Sequence, residues 1–195
     1  MKFQIEPKAI PAVLFCIGAL VLLAASATTT TVAERAAEEA RDGLIPVDKA
    51  DAAADFTLPV ATALPAGSPK TVDLLSAAKK EPVVFSFWAS YCQYCPLEMT
   101  HLEHYAGQYK GKVQFYTVNS NDAPEIIREY QTRHGFSLPV LSDSTAEVAQ
   151  RYGVDSLPTI FIVDKEGRIR YASSGFDPQM DQVFPKLLDD IVREG

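Results

Sequence analysis

The stretch Ser86-Phe87-Trp88-Ala89-Ser90-Tyr91-Cys92-Gln93-Tyr94-Cys95-Pro96 holds two of the chain's three cysteines, two residues apart, directly after an apolar run. Such a pair can staple a fold, hold a metal ion or exchange electrons. Its surroundings decide among these. Pro82 to Trp88 (PVVFSFW) is a nearly continuous β-branched and aromatic run, the pattern of a strand covered on both faces. Proline lacks an N–H and is tolerated only in a helix's first turn, so Pro96 places a helix start near Gln93. That helix is expected to reach about Tyr109, with Gly111 as its stop. Cys92 then sits just ahead of it, at the positive end of the dipole, where a thiolate is favoured. Cys95 is expected one turn in and more buried.

A Cys-x-x-Cys at a strand-to-helix junction of an α/β pattern points to dithiol–disulfide exchange. A static bridge closing so short a loop constrains the unfolded chain little, which makes it a poor staple. His101 and His104 complete a zinc-like spacing. On a helix, however, they project about 120° and 180° away from Cys95 and lie about 9 and 14 Å further along the axis. Zinc bonds of about 2 Å do not span that. No metal or other cofactor is expected, and His101, His104 and His134 are assigned to the solvent face. Glu98 lies about 60° around the helix from Cys95, on the border of the stripe Cys95, Met99, Leu102 and Ala106. Two readings of Glu98 stay open on geometry alone: a desolvated carboxylate relaying a proton to a thiol, or a side chain reaching solvent.

The rest of the compact part alternates. Val113 to Val118 is a second strand, and Pro124 opens a helix closed by Gly135. A short strand at Leu138 to Leu141 and a helix at Thr145 to Tyr152 follow. Thr159 to Val163 and Ile169 to Ala172 form strands joined by the turn Asp164-Lys165-Glu166-Gly167. A last helix runs from Pro178 to Arg193. This succession implies an α/β layered domain over residues 54–195, opening with the alternating Asp55-Phe56-Thr57-Leu58. Pro158 leads into the strand at Thr159. A cis bond there would expose backbone groups to an extended peptide, while an ordinary trans bond is the simpler reading of the residues alone.

Ahead of the domain, Lys2 and Lys8 precede an uncharged run from Ile10 to Ala27. It is long for a signal-peptide core and just long enough for a bilayer span, and Ala25-Ser26-Ala27 fits a cleavage site. Residues 1–27 are therefore read as a signal anchor or a signal peptide. Lysines before the run and acids after it place the domain outside the cytoplasm. Cys16, inside the run, reads as an apolar filler. Residues 28–53, rich in alanine, threonine and acids without an apolar stripe, read as a solvated linker with a short helix near Val32 to Arg41. A net charge of −7 argues against nucleic acid as a partner.

Three segments together resemble the thioredoxin superfamily, specifically the ResA/TlpA/CcmG-like group of exported thiol–disulfide oxidoreductases. They are Asp55-Phe56-Thr57-Leu58 with Val72-Asp73-Leu74, the run FWASYCQYC, and GVDSLPTIFIVDKEGRI. The resemblance implies a thioredoxin-like fold, a central mixed sheet flanked by helices, with an N-terminal β extension. It implies a redox-active disulfide between a nucleophilic Cys92 and a resolving Cys95, a buried catalytic Glu98, and a cis bond before Pro158. Trp88, Leu157 and Pro158 become the substrate-binding positions. Ser86 departs from the pattern by standing where ordinary thioredoxins carry a buried aspartate. Gln93-Tyr94 replaces the usual proline-containing dipeptide, and no sequence rule gives the resulting potential. The group usually reduces its clients, often the haem-binding cysteines of apocytochrome c, with electrons from a membrane-embedded thiol reductase. A disulfide-forming oxidase is the alternative. Copper chaperones of this fold have three residues between their cysteines and a later ligand histidine, and here no histidine follows His134. A peroxiredoxin-type peroxidase carries its lone cysteine in a different motif.

Overall fold

The computed structural model describes residues 30–40, 43–62 and 68–195; the apolar run at 10–27, Cys16 and Arg41 lie outside them. Along the chain come α1 (Val32–Glu39), β1 (Thr57–Pro59), β2 (Thr71–Asp73), α2 (Leu74–Ala78), β3 (Val83–Trp88) and α3 (Cys95–Gln108). Then follow β4 (Gln114–Ser120), α4 (Pro124–His134), β5 (Val140–Asp143) and α5 (Glu147–Tyr152). β6 (Thr159–Val163), β7 (Ile169–Ser174) and α6 (Met180–Glu194) end the domain. The main sheet has the order β5-β4-β3-β6-β7, with β3, β4 and β5 parallel and β6 and β7 antiparallel to their neighbours. β1 and β2 pair as the expected N-terminal β extension. This is a mixed α/β, thioredoxin-like fold.

β3 is the central strand, and all six of its residues are buried because helices cover both faces. Its side chains alternate between two cores. Val83, Phe85 and Phe87 enter one, shared with α1, α2 and α5. Phe85 anchors it, with Phe161 stacked at 5.3 Å and Tyr152 edge-on at 5.4 Å. Val84 and Trp88 enter the other, together with Met99 and Leu102 of α3, Ile127 of α4 and Phe184 of α6. Both cysteines belong to this second core.

Parts of the segment expected as a solvated linker are packed onto the domain, while Pro46 to Lys49 stay exposed. A capping box between Thr31 and Glu34 starts α1, which buries Ala33 and Ala36 and ends at Glu39. The buried residues are alanines, so no apolar stripe shows in the sequence. Further on, the Ile45 N–H donates to the Arg170 carbonyl at 2.7 Å, and the Ile169 N–H donates to the Asp51 carbonyl at 2.8 Å. These bonds occupy the outer edge of β7, which would otherwise offer an unpaired strand to other chains. Arg170, buried, donates from Nε to the Ile45 carbonyl at 2.6 Å and pairs with Glu194 at 2.7 Å, tying the segment to α6. At the end of α5, Gly153 has φ +68°, and a Cβ there would fall 2.3 Å from Thr31 Cβ. Only glycine lets α1 approach so closely.

Element ends differ from the sequence expectation by a few residues. β4 and β7 run further, β5 begins later, and α6 starts at Met180 rather than Pro178. α2 was not expected; at five residues it is too short for a periodic pattern, and the Asp73 carboxylate caps it by accepting from the Ser76 N–H at 2.8 Å.

Candidate active site

Cys92 and Cys95 are joined by a disulfide, with Cα atoms 5.5 Å apart. α3 begins at Cys95 itself, two residues later than expected, with Pro96 at its second position. Cys92 therefore lies three residues ahead of the helix, in a turn closed by its N–H donating to the Ala89 carbonyl at 3.0 Å. Cys95 is not one turn in: it is the first helical residue. Both sulfurs thus stand near the positive end of the α3 dipole. They differ in access, Cys92 being 9% exposed and Cys95 fully enclosed.

Asp122 fixes the loop two residues ahead of Cys92. Its carboxylate accepts from the Ser90 N–H at 2.7 Å, from the Ser90 hydroxyl at 2.8 Å and from Asn119 Nδ2 at 2.8 Å. Sequence reasoning missed this residue. Ser90 and Asp122 are 32 positions apart, and only the parallel pairing of β3 with β4 brings their loops together.

Glu98 is 2% exposed, so its side chain does not reach solvent. The Ser86 hydroxyl on β3 donates to Glu98 Oε1. The side chain of Ser86, one pleat from Trp88, points toward α3, so the residue replacing the usual buried aspartate partners the acid that arrives on the helix. Burial pushes the Glu98 carboxyl up to about 7, against the opposing pull of the Ser86 hydrogen bond. A cavity of about 10 Å³, lined in part by Glu98, Tyr171, Ser173 and Asp177, lies beside it under the β7–α6 connection.

The three expected substrate-binding positions separate. Trp88 is fully buried, with Tyr130 at 4.7 Å and the edge of Phe136 at 5.9 Å, so it supports the site from beneath and cannot touch a docked client. The Leu157–Pro158 bond is cis. Pro158 is buried, whereas Leu157 is half-buried and lines a groove of about 160 Å³ that also meets Tyr91. Around the pair, Tyr91, Tyr94 and Leu97 are 78%, 54% and 50% exposed. Tyr94 stacks on Phe176 of the β7–α6 connection with centroids 6.4 Å apart. His101, expected on the solvent face, instead has its Nδ1 2.8 Å from an Asp181 carboxylate oxygen and its ring against Phe176. α6 crosses α3 there, which the pattern of α3 alone does not reveal.

The sheet order and the disulfide at the β3–α3 junction define a thioredoxin-fold protein carrying a Cys-x-x-Cys pair. Residues 50–172 match the model of the AhpC/TSA family, and the chain belongs to that family. It is 32% identical over 108 residues to the thiol-disulfide oxidoreductase ResA of Halalkalibacterium halodurans, covering 54% of this chain and 61% of that relative's length. A putative thiol:disulfide interchange protein DsbE from Chlorobium tepidum superposes with a TM-score of 0.65 at 24% identity, over 73% of this chain and 96% of the other. The exposed lipoprotein thioredoxin of Streptococcus pneumoniae superposes at 0.57 with 27% identity, over 70% and 99%.

Proposed function

We propose that this chain is a thiol–disulfide oxidoreductase that works as a reductase of client disulfides. The observation that carries it is the asymmetry of the pair. One cysteine keeps some exposed surface, and the other is enclosed with a protonatable carboxyl one turn further along the helix. In the reduced state the Cys92 thiolate attacks a client disulfide. A Cys92–client bond forms, the client bond breaks, and the second client sulfur leaves and takes up a proton. Cys95 then passes its proton to Glu98 and attacks the Cys92 sulfur. The Cys92–Cys95 bond forms, and the first client sulfur leaves and is protonated in turn. Two electrons pass to the client. The two protons are the one relayed by Glu98 and the one Cys92 released on ionising. A carboxyl near 7 is suited to both holding and returning a proton at neutral pH.

The relative's printed activity, thiol-disulfide oxidoreductase, supports the exchange chemistry, while the resemblance alone suggests apocytochrome c among the clients and a membrane-embedded thiol reductase as electron donor. The equilibrium potential of the couple tests the direction. A value near about −270 mV is expected, and one near about −120 mV would make the protein an oxidase instead. We place the domain outside the cytoplasm, on the strength of the charge pattern around residues 10–27 and the exposed lipoprotein among its structural neighbours. A phosphatase that works only outside, fused after Gly195, should be active; a silent fusion with normal protein levels would overturn the placement.

A further inference from the structure

The groove is lined by Tyr91, the chain neighbour of Cys92, and by Leu157, the chain neighbour of Pro158, so it offers a side chain of a client docked at the disulfide a place to enter. Ala146, Ala149 and Val154 make its apolar wall. Ser120, at the end of β4, lines it too. Ser120 is 7% exposed as a residue, and its hydroxyl oxygen is buried with no hydrogen-bond partner among the described residues. A buried hydroxyl normally finds one, so this oxygen is set to accept from something that enters. Asp155, exposed, stands at the same groove.

Charge narrows what enters. The connections at this end of the sheet are residues 89–94, 121–123, 144–146, 153–158 and 175–179. They contain Asp122, Asp155 and Asp177 and no lysine, arginine or histidine. Arg151 of α5 is turned away, donating to the Asp55 carbonyl at 2.9 Å.

Building on the oxidoreductase reading, we propose that this groove receives an arginine side chain adjacent to the client's reacting cysteine, so that preferred clients are cationic extended segments. The aliphatic stem lies along Ala146, Ala149 and Val154. The guanidinium has five N–H donors in a fixed fork and so serves a hydroxyl and a carboxylate at once, the pair that Ser120 and Asp155 contribute to the lining. A leucine would fill the wall but leave the hydroxyl unpaired, and a glutamate would meet like charge.

The test uses three peptides identical except for arginine, leucine or glutamate beside one cysteine, held as a mixed disulfide with thionitrobenzoate. Reduced full-length protein releases the chromophore, and the second-order rate is read. Arginine should exceed glutamate by about tenfold at low salt, the ratio shrinking as salt screens the rim. Asp155→Lys should bring that ratio to one or below, and Ser120→Ala should lower the arginine-to-leucine ratio severalfold. Ratios within one variant cancel any general effect on the dithiol. Equal rates for the three peptides, a faster leucine peptide, or ratios unchanged in both variants would overturn the proposal. Failure with every peptide would instead overturn the oxidoreductase reading on which it rests.

Discussion

Cys92→Ser should reduce disulfide exchange to background, a loss of several orders of magnitude, while Cys95→Ser should accumulate mixed disulfides with clients. The physical cause is access. A thiolate must approach a client sulfur along the S–S axis, and only Cys92 has exposed surface, 9% against none for Cys95. A serine hydroxyl at 92 has no comparable nucleophilicity near neutral pH, so the first bond cannot form. With Cys95 replaced, capture proceeds and resolution does not, because no other described residue brings a thiol to the Cys92 sulfur. Non-reducing electrophoresis and mass spectrometry of purified protein incubated with a disulfide client read both outcomes. Trapping by the Cys92→Ser variant would reverse the roles of the two sulfurs.

Glu98→Gln should remove a pH dependence from both stability and thiol chemistry. The folded carboxyl titrates near 7, above its ordinary value of 4.5, because burial disfavours its charge. Between those two pH values the folded state holds a proton that the unfolded state has released. Stability from this group is therefore fully present below about 4.5 and lost as pH rises through about 7. The shift corresponds to about 3 kcal/mol. Asp73, Asp181 and Asp190 are held below their ordinary values by hydrogen bonds, so they titrate under this window. Urea unfolding of the oxidised protein at pH 5 and pH 8 should show the drop in wild type and a flat response in Glu98→Gln, whose amide oxygen still accepts from Ser86. In the reduced protein, loss of the neighbouring negative charge should lower the pH at which Cys95 is alkylated. Parallel stability curves and superimposable alkylation profiles would show that Glu98 does not act on the pair.

Much of this was readable before any coordinates. The β3 run, Pro96, the left-handed Gly135 and the hairpin turn are local features, each acting on its own few residues, and they located the elements to within a few positions. The address of the cysteine pair followed from them. Glu98 shows where such reading stops. Its helical position is 60° from Cys95 by simple geometry, yet that angle serves a solvated and a buried side chain equally well.

By itself, then, the sequence determined the succession of the main strands and helices, since periodicity, proline and glycine act locally, and its motifs carried the family resemblance that implied the disulfide. Tertiary structure alone decided the burial of Glu98, its pairing with Ser86, the grip of Asp122 on Ser90 and the burial of a Ser120 hydroxyl with no partner among the described residues. It also turned the supposed linker into the cover of β7, through backbone bonds that any sequence could make and buried alanines that leave no stripe. Desolvation is a property of what surrounds a group. For Glu98 those surroundings include β3, β6, β7 and α6, strands and helices far apart in the chain whose arrival no local pattern around residue 98 records.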